Sequence, residues 1–249
     1  MLVRVMAVAL LLSGVLFPGA LFAGEQWDYR LSPYIWFAGS KGDVGPLKNL
    51  PPVDVDISPS EALEDTESSF MMIFDAKKGR HGIYTDVFYS DVQQKENIIN
   101  SANIESITKS TMLSAAYTYE IFNDNKTVVD VLAGVRWWHI DATVKLRSPI
   151  PGLNVSGDNT ESWFDPVIGI KGRTRLGESG FFVSGGIGYG GFDINAKSFY
   201  DINANIGYQW TDAISTLVGF RQYELDYDQN DFLYDVKNSG WQIGLTWSF

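Results

Sequence analysis

The chain has 249 residues, with 19 Lys and Arg against 30 Asp and Glu, giving a net charge of -11 and arguing against nucleic acid as a partner. It has no cysteine, which excludes disulfides, Cys-based metal sites and a Cys nucleophile. The aromatic content is high (8 Trp, 12 Tyr, 15 Phe) and is accompanied by 24 Gly.

Residues 1–23 read as a secretory signal peptide. Arg4 forms a short positive region, an apolar run follows from Val5 to Phe17, Pro18-Gly19 breaks it, and Ala23 offers a cleavage position. Cleavage would remove Arg4 and no acid, leaving the mature chain 24–249 more acidic still. No later apolar run approaches the roughly 20 residues of a spanning helix. An exported protein without disulfides or apolar helices needs another source of stability, and a closed, lipid-embedded sheet supplies one.

The mature chain alternates with period two. Between Tyr200 and Trp210 one face carries Tyr200, Ile202, Ala204, Ile206, Tyr208 and Trp210, and the other Asp201, Asn203, Asn205, Gly207 and Gln209. The pattern recurs and predicts ten strands near 26–38, 68–78, 80–91, 104–121, 126–144, 160–176, 179–192, 197–211, 213–226 and 232–249, with eight or twelve as alternatives. Aromatics gather at two heights on the apolar faces. Tyr29, Tyr119, Phe181, Tyr208, Trp210, Trp247 and Phe249 form one belt, and Phe37, Phe70, Tyr89, Trp137, Phe164, Tyr189, Tyr200, Phe220 and Trp241 the other. Their separation along strands tilted by about 40° matches the roughly 25 Å apolar band of an outer-membrane barrel. The expected fold is therefore an all-β, antiparallel transmembrane β-barrel, in an outer membrane whose lipid and lipopolysaccharide are its surroundings.

Short turns at 77–80, 122–125, 176–179 and 211–212 alternate with longer connections, as periplasmic turns and external loops do. An even strand number puts both mature termini on the periplasmic side. The longest connection, 39–67, is expected to be an extracellular loop. It contains Ser58-Pro59-Ser60-Glu61, a capping box with Pro at the first helical position, and so a short helix that serves as lid, plug or surface turn.

The last residues alternate Trp241, Ile243, Leu245, Trp247 and Phe249. This ending resembles the C-terminal strand of outer-membrane barrels, and the resemblance implies recognition by the barrel-assembly machinery. The segments WDYRLSPYIWFAG (27–39), DPVIG (165–169), GFR (219–221) and YDV (234–236) resemble a largely uncharacterised family of small Gram-negative outer-membrane β-barrel proteins. That similarity implies fold and location and brings no catalytic residues.

The same phasing turns thirteen charges inward: Asp28, Asp75, Asp86, Glu120, Asp130, Asp165 and Asp201 against Arg30, Lys77, Arg136, Lys171, Arg173 and Arg221. Near-balance predicts a charge-paired lumen, because unpaired charges in a narrow barrel are costly. The functional expectation is a structural or narrow-channel barrel that is not an enzyme and needs no cofactor or metal. Two alternatives stand beside it: a hydrolase using His139 and Asp141 at the outer rim, and a binding or adhesion protein acting through 39–67 and 145–159. Some ten-stranded outer-membrane proteases use His and Asp at their rim, but the similarity here stops at strand number and residue type. Gly186-Ile187-Gly188-Tyr189-Gly190-Gly191 fits G-x-G-x-x-G, yet lacks the following helix that dinucleotide binding requires. The acidic groups of the first and last loops do not have EF-hand spacing.

Overall fold

The computed structural model describes residues 26–45, 52–97, 103–147, 155–230 and 232–249. The signal segment read at 1–23 lies outside them. The elements are β1 (Asp28–Gly45), β2 (Val53–Ile57), α1 (Pro59–Asp65), β3 (Thr66–Lys78), β4 (His81–Asn97), β5 (Asn103–Asn123), β6 (Thr127–Arg147), β7 (Val155–Arg175), β8 (Phe181–Gly190), β9 (Ser198–Gln209), β10 (Ile214–Gln229) and β11 (Phe232–Ser248). β3 to β11 pair in sequence as antiparallel neighbours, β3 pairs with β1, and β11 returns to β1 to close the ring. Ten strands make the barrel, and β2 is an extra strand on β1.

Closure removes the sheet edge that would otherwise present unpaired backbone groups. The seam runs from Arg30↔Ser248 to Gly45↔Leu233. Phe249 finishes it: its N–H donates to the Tyr29 carbonyl and its carbonyl accepts from Tyr29 N–H, both at 3.0 Å, and the two rings stack at 5.5 Å.

The outward phase is apolar over the middle of the wall. Ile35, Ile83, Leu113, Val135, Ile168, Ile187, Ile202, Val218 and Ile243 are all exposed. The two belts are physical rings of neighbours. Phe181–Tyr208 (4.9 Å) and Trp247–Phe249 (4.6 Å) lie at one height, and Trp137–Phe164 (6.4 Å), Tyr189–Tyr200 (5.4 Å) and Phe220–Trp241 (5.8 Å) at the other.

Beyond the second belt the strands run on, further than the sequence reading placed them. β1 reaches Gly45 rather than 38, β4 Asn97 rather than 91, and β7 begins at Val155 rather than 160. The reason is an inversion of the alternation. Here the outward phase is polar, with Lys41 paired to Asp56 (3.0 Å) and Lys109 to Asp91 (3.5 Å). The inward phase is apolar, with Ile140, Ala142, Leu225, Tyr227, Phe232 and Val236 buried. Above the lipid the wall must face water, so the barrel becomes a water-soluble one with a core of its own. The apolar-out signal ends at that point, and the strands do not.

The 39–67 segment is correspondingly less of a loop than expected. Its start continues β1, β2 folds back on it from Ser40↔Ile57 to Val44↔Val53, and α1 follows. The capping box is formed: Ser58 Oγ accepts from Glu61 N–H (3.3 Å) and Glu61 Oε2 from Ser58 N–H (2.8 Å). No residue of α1 is buried, so the helix lies on the surface.

Candidate functional site: the bridged lumen

The inward charges gather at two levels, each carried across the lumen by long cations. At the level nearer the short turns, Lys77 on β3 donates to Glu120 on β5 (2.6 Å) and to Asp130 on β6 (2.9 Å). Lys171 on β7 pairs with Asp75 on β3, and three strands lie between them on one side of the ring. Arg173 pairs with no carboxylate among the described residues: its Nη2 donates to Gln209 Oε1 (2.6 Å) and its guanidinium covers the Phe182 ring at 3.6 Å. Asp28 and Arg30 do not join. Both are exposed at this end, and no ion pair links either to another described residue.

The second level is buried. Arg221 on β10 is chelated by Asp201 on β9 through Nε–Oδ1 (2.9 Å) and Nη2–Oδ2 (2.7 Å). Its Nη2 also donates to Asp86 Oδ2 on β4 (2.8 Å), and its Nη1 to the Tyr34 hydroxyl on β1 (2.8 Å), which in turn donates to Asp86 Oδ1 (2.9 Å). Arg136 on β6 donates Nη2 to Asp201 Oδ2 (2.9 Å) and Nε to Ser114 Oγ on β5 (2.7 Å). Two arginines thus meet two aspartates, with Tyr34 and Ser114 taking further bonds. Planar guanidinium forks suit such a desolvated network, because one fork serves several carboxylate oxygens.

Asp165 is inward and fully buried and stands opposite Arg136 in the β6–β7 ladder, but it makes no ion pair with either buried arginine. It accepts from Trp163 Nε1 (2.8 Å) and from the backbone N–H of Asn195 (3.2 Å) and Ala196 (3.0 Å). It therefore tethers the connection 191–197 to the wall.

An aromatic layer covers the arginines. Phe199 and Tyr223 lie 4.7 and 5.4 Å from the Arg136 guanidinium, Trp138 packs on Tyr223 (5.3 Å), and Trp163 stacks on Tyr227 at 3.8 Å. The sequence reading missed these rings and Tyr34. Their trace was available, because Tyr34, Trp36, Trp138, Trp163 and Tyr223 are large aromatics on the phase that carries the charges. His139 lies on the outward phase instead, stacked on Trp137 (5.8 Å), with Nδ1 2.6 Å from Ser162 Oγ and Nε2 3.5 Å from Asp141.

Apolar exterior, two aromatic belts and a closed antiparallel ring of ten strands define a transmembrane β-barrel of the outer-membrane type. Its fold is similar to that of the outer membrane protease OmpT from Escherichia coli, with a TM-score of 0.55 and 12% identity over 93% of this chain and 99% of that one. The transport unit of the autotransporter AIDA-I from Escherichia coli aligns with a TM-score of 0.43 and 10% identity over 96% and 95% of the two chains. The attachment invasion locus protein Ail of Yersinia pestis, in complex with sucrose octasulfate, aligns with a TM-score of 0.39 and 12% identity over 90% and 99%. At 12% identity the likeness to the protease is one of fold. No family model and no curated protein sequence matches the chain.

Proposed function

We propose that this chain is a non-enzymatic barrel of the Gram-negative outer membrane whose axis is blocked, so that it serves as a rigid membrane-embedded scaffold rather than an open pore. One observation carries the reading: Arg221 joins β10 to β4 and β1 through the middle of the lumen. Ions following the axis would have to displace a guanidinium held through all three of its nitrogens and then pass the aromatic layer, and breaking such a network leaves buried charge uncompensated. The exterior band supports residence among outer-membrane lipid and lipopolysaccharide. The signal-like start and the Phe249 ending support secretory export, hand-over to the barrel-assembly machinery and periplasmic mature termini. The same features suit the small outer-membrane barrel family that the sequence resembles.

Planar-bilayer conductance of the refolded mature protein tests this. No current steps are expected from the wild type. Steps are expected from the paired variant Arg221→Ala/Arg136→Ala. Regular steps in the wild type would replace the scaffold with a channel.

A further inference from the structure

The backbone ladder between β1 and β3 stops partway up the wall. β3 pairs with β1 only from Asp28↔Lys77 to Pro33↔Met72, and β2 takes over at Ser40↔Ile57. Residues 34–39 on β1 and 66–71 on β3 thus flank an interval with no strand pairing. Pro33, which has no N–H to give to a ladder, stands at the last rung. Phe37 and Phe70, both of the outer aromatic belt, border the interval, so it lies at the lipid–water boundary of the outer leaflet. Among the described residues, the seven-residue α1 is the element that lies over it.

A cavity of about 200 Å³ lies behind this gap. It is bordered by Trp36 and Ala38 from the inward phase of β1 and by Ile35 and Phe37 from the outward phase. Four consecutive residues line a space in this way where it meets the unpaired edge of their strand, because the edge backbone is shared by both phases. The space therefore reaches the wall gap from the lumen side. Further in, Met71, Phe88, Met112 and Trp138 make it largely apolar, uncharged polar side chains such as Ser90, Thr108 and Asn238 interrupt that lining, and Arg221 forms its floor.

The chemistry of the lining limits what fits. Arg221 uses Nε, Nη1 and Nη2 on Asp201, Tyr34 and Asp86, so the floor offers no free charge. A charged ligand would lose its hydration without gaining an opposite charge. The Trp138 indole N–H has no acceptor among the described residues, although Trp138 is only 5% exposed. One acceptor oxygen on a ligand would meet that need. An apolar protein cavity of about 150 Å³ holds benzene, which sets the scale of the occupant.

We propose that this cavity binds a small, uncharged, largely apolar molecule, a monocyclic aromatic or an alkyl chain of similar volume with one hydrogen-bond acceptor, entering from the outer leaflet between β1 and β3. The site does not depend on a blocked axis. A conducting barrel would overturn the scaffold reading and leave this one standing.

The test is a ¹⁹F NMR titration of the full mature barrel in lipid nanodiscs with 4-fluoroacetophenone. A saturable one-to-one resonance is expected, distinct from the signal of probe dissolved in the bilayer. Ala62→Trp fills the cavity from the exposed helix, where the barrel fold is not at stake, and is expected to weaken binding about tenfold or more. Met71→Trp fills it from the wall and should do the same, with folding checked by heat-dependent gel mobility. Trp138→Phe keeps the ring and removes the donor, and should weaken this ketone more than it weakens 4-fluorotoluene. Purely linear partitioning, or saturable binding indifferent to both filling variants, would overturn the proposal. So would quenching of the cavity tryptophans by acyl-brominated phospholipid together with no probe binding, because a bilayer tail would then be the resident.

Discussion

Arg221 Nη2 sits 2.8 Å from Asp86 Oδ2 although β10 and β4 are separated by three strands on one side of the ring and five on the other. The pair holds opposite walls of the barrel at a fixed spacing. The Asp86 side chain is fully buried, so its charge depends on this contact and on the Tyr34 hydroxyl.

Arg221→Ala is expected to destabilise the barrel by about 3–5 kcal/mol, because it leaves Asp86 without a cation and Asp201 with Arg136 alone. Arg221→Met combined with Asp86→Asn should recover much of that loss, since no unpaired charge then remains at this contact. Urea unfolding in lipid vesicles, followed by tryptophan emission, measures both. Equal stability of the single and double variants would show that the arginine acts through packing alone.

Period two and the belt aromatics made the membrane-spanning part of the fold legible, because hydrocarbon outside and polar groups inside impose one alternation on every strand there. The strand extensions beyond the second belt were not legible by the same rule. At Lys41, Asp91 and Asp226 the outward phase turns polar, and a pattern search reads this as the end of a strand. The inward charges could be named from phase alone, since phase fixes direction. Which partner each would choose could not, because Arg221 and Asp86 lie 135 positions apart and meet only through the curvature of the closed sheet. Asp165 shows the limit well: its phase is right, but its partners are the Trp163 indole and backbone groups of a turn rather than a cation.

The closing seam leaves no room beside Gly240. A Cβ there would lie 1.8 Å from the Phe37 carbonyl oxygen and 2.6 Å from its carbon. These are backbone atoms of the facing strand and cannot swing away as a side chain does. Gly240→Ala is therefore expected to cost more than the roughly 1–3 kcal/mol of ordinary overpacking. The measurement is the fraction of protein that keeps heat-dependent gel mobility after refolding. Gly177, with no atom within 4 Å of an added Cβ, sits at φ 64° in a turn. Gly177→Asn, which tolerates that conformation, is the matched control and should refold normally.

The helix over the wall gap carries its own acid sensitivity. Hydrogen bonds from the Ser58 side chain and from the Ser58 N–H hold the Glu61 carboxyl below its ordinary value. A folded-state value lowered in this way favours the capped helix above the ordinary carboxylate range, and the advantage disappears as pH falls through the lowered value. A spin label at Ser60→Cys should therefore gain mobility on acidification from neutral to about pH 3. Glu61→Gln should flatten that transition. A transition of the same size in the Gln variant would assign it to another group.

Asp165 holds the tip of a turn whose two ends are fixed by Gly191 N–H to the Pro166 carbonyl (3.2 Å) and Lys197 N–H to the Asp226 carbonyl (2.9 Å). It accepts from Trp163, Asn195 and Ala196, and the turn adds Asn195 Nδ2 to the Phe164 carbonyl (2.7 Å) and Gln229 Nε2 to the Asn195 carbonyl (2.7 Å). Asp165→Ala leaves three donors without their acceptor, two of them backbone N–H groups, each worth about 1–3 kcal/mol if it stays buried. The turn can escape that penalty by lifting into water, whereas the barrel strands below it cannot. The expected outcome is thus local: faster proteolytic nicking within 191–197 in intact membranes, with the urea midpoint of the barrel little changed. A large drop in the midpoint without new nicking would mean that Asp165 supports the aromatic layer through Trp163 rather than the turn.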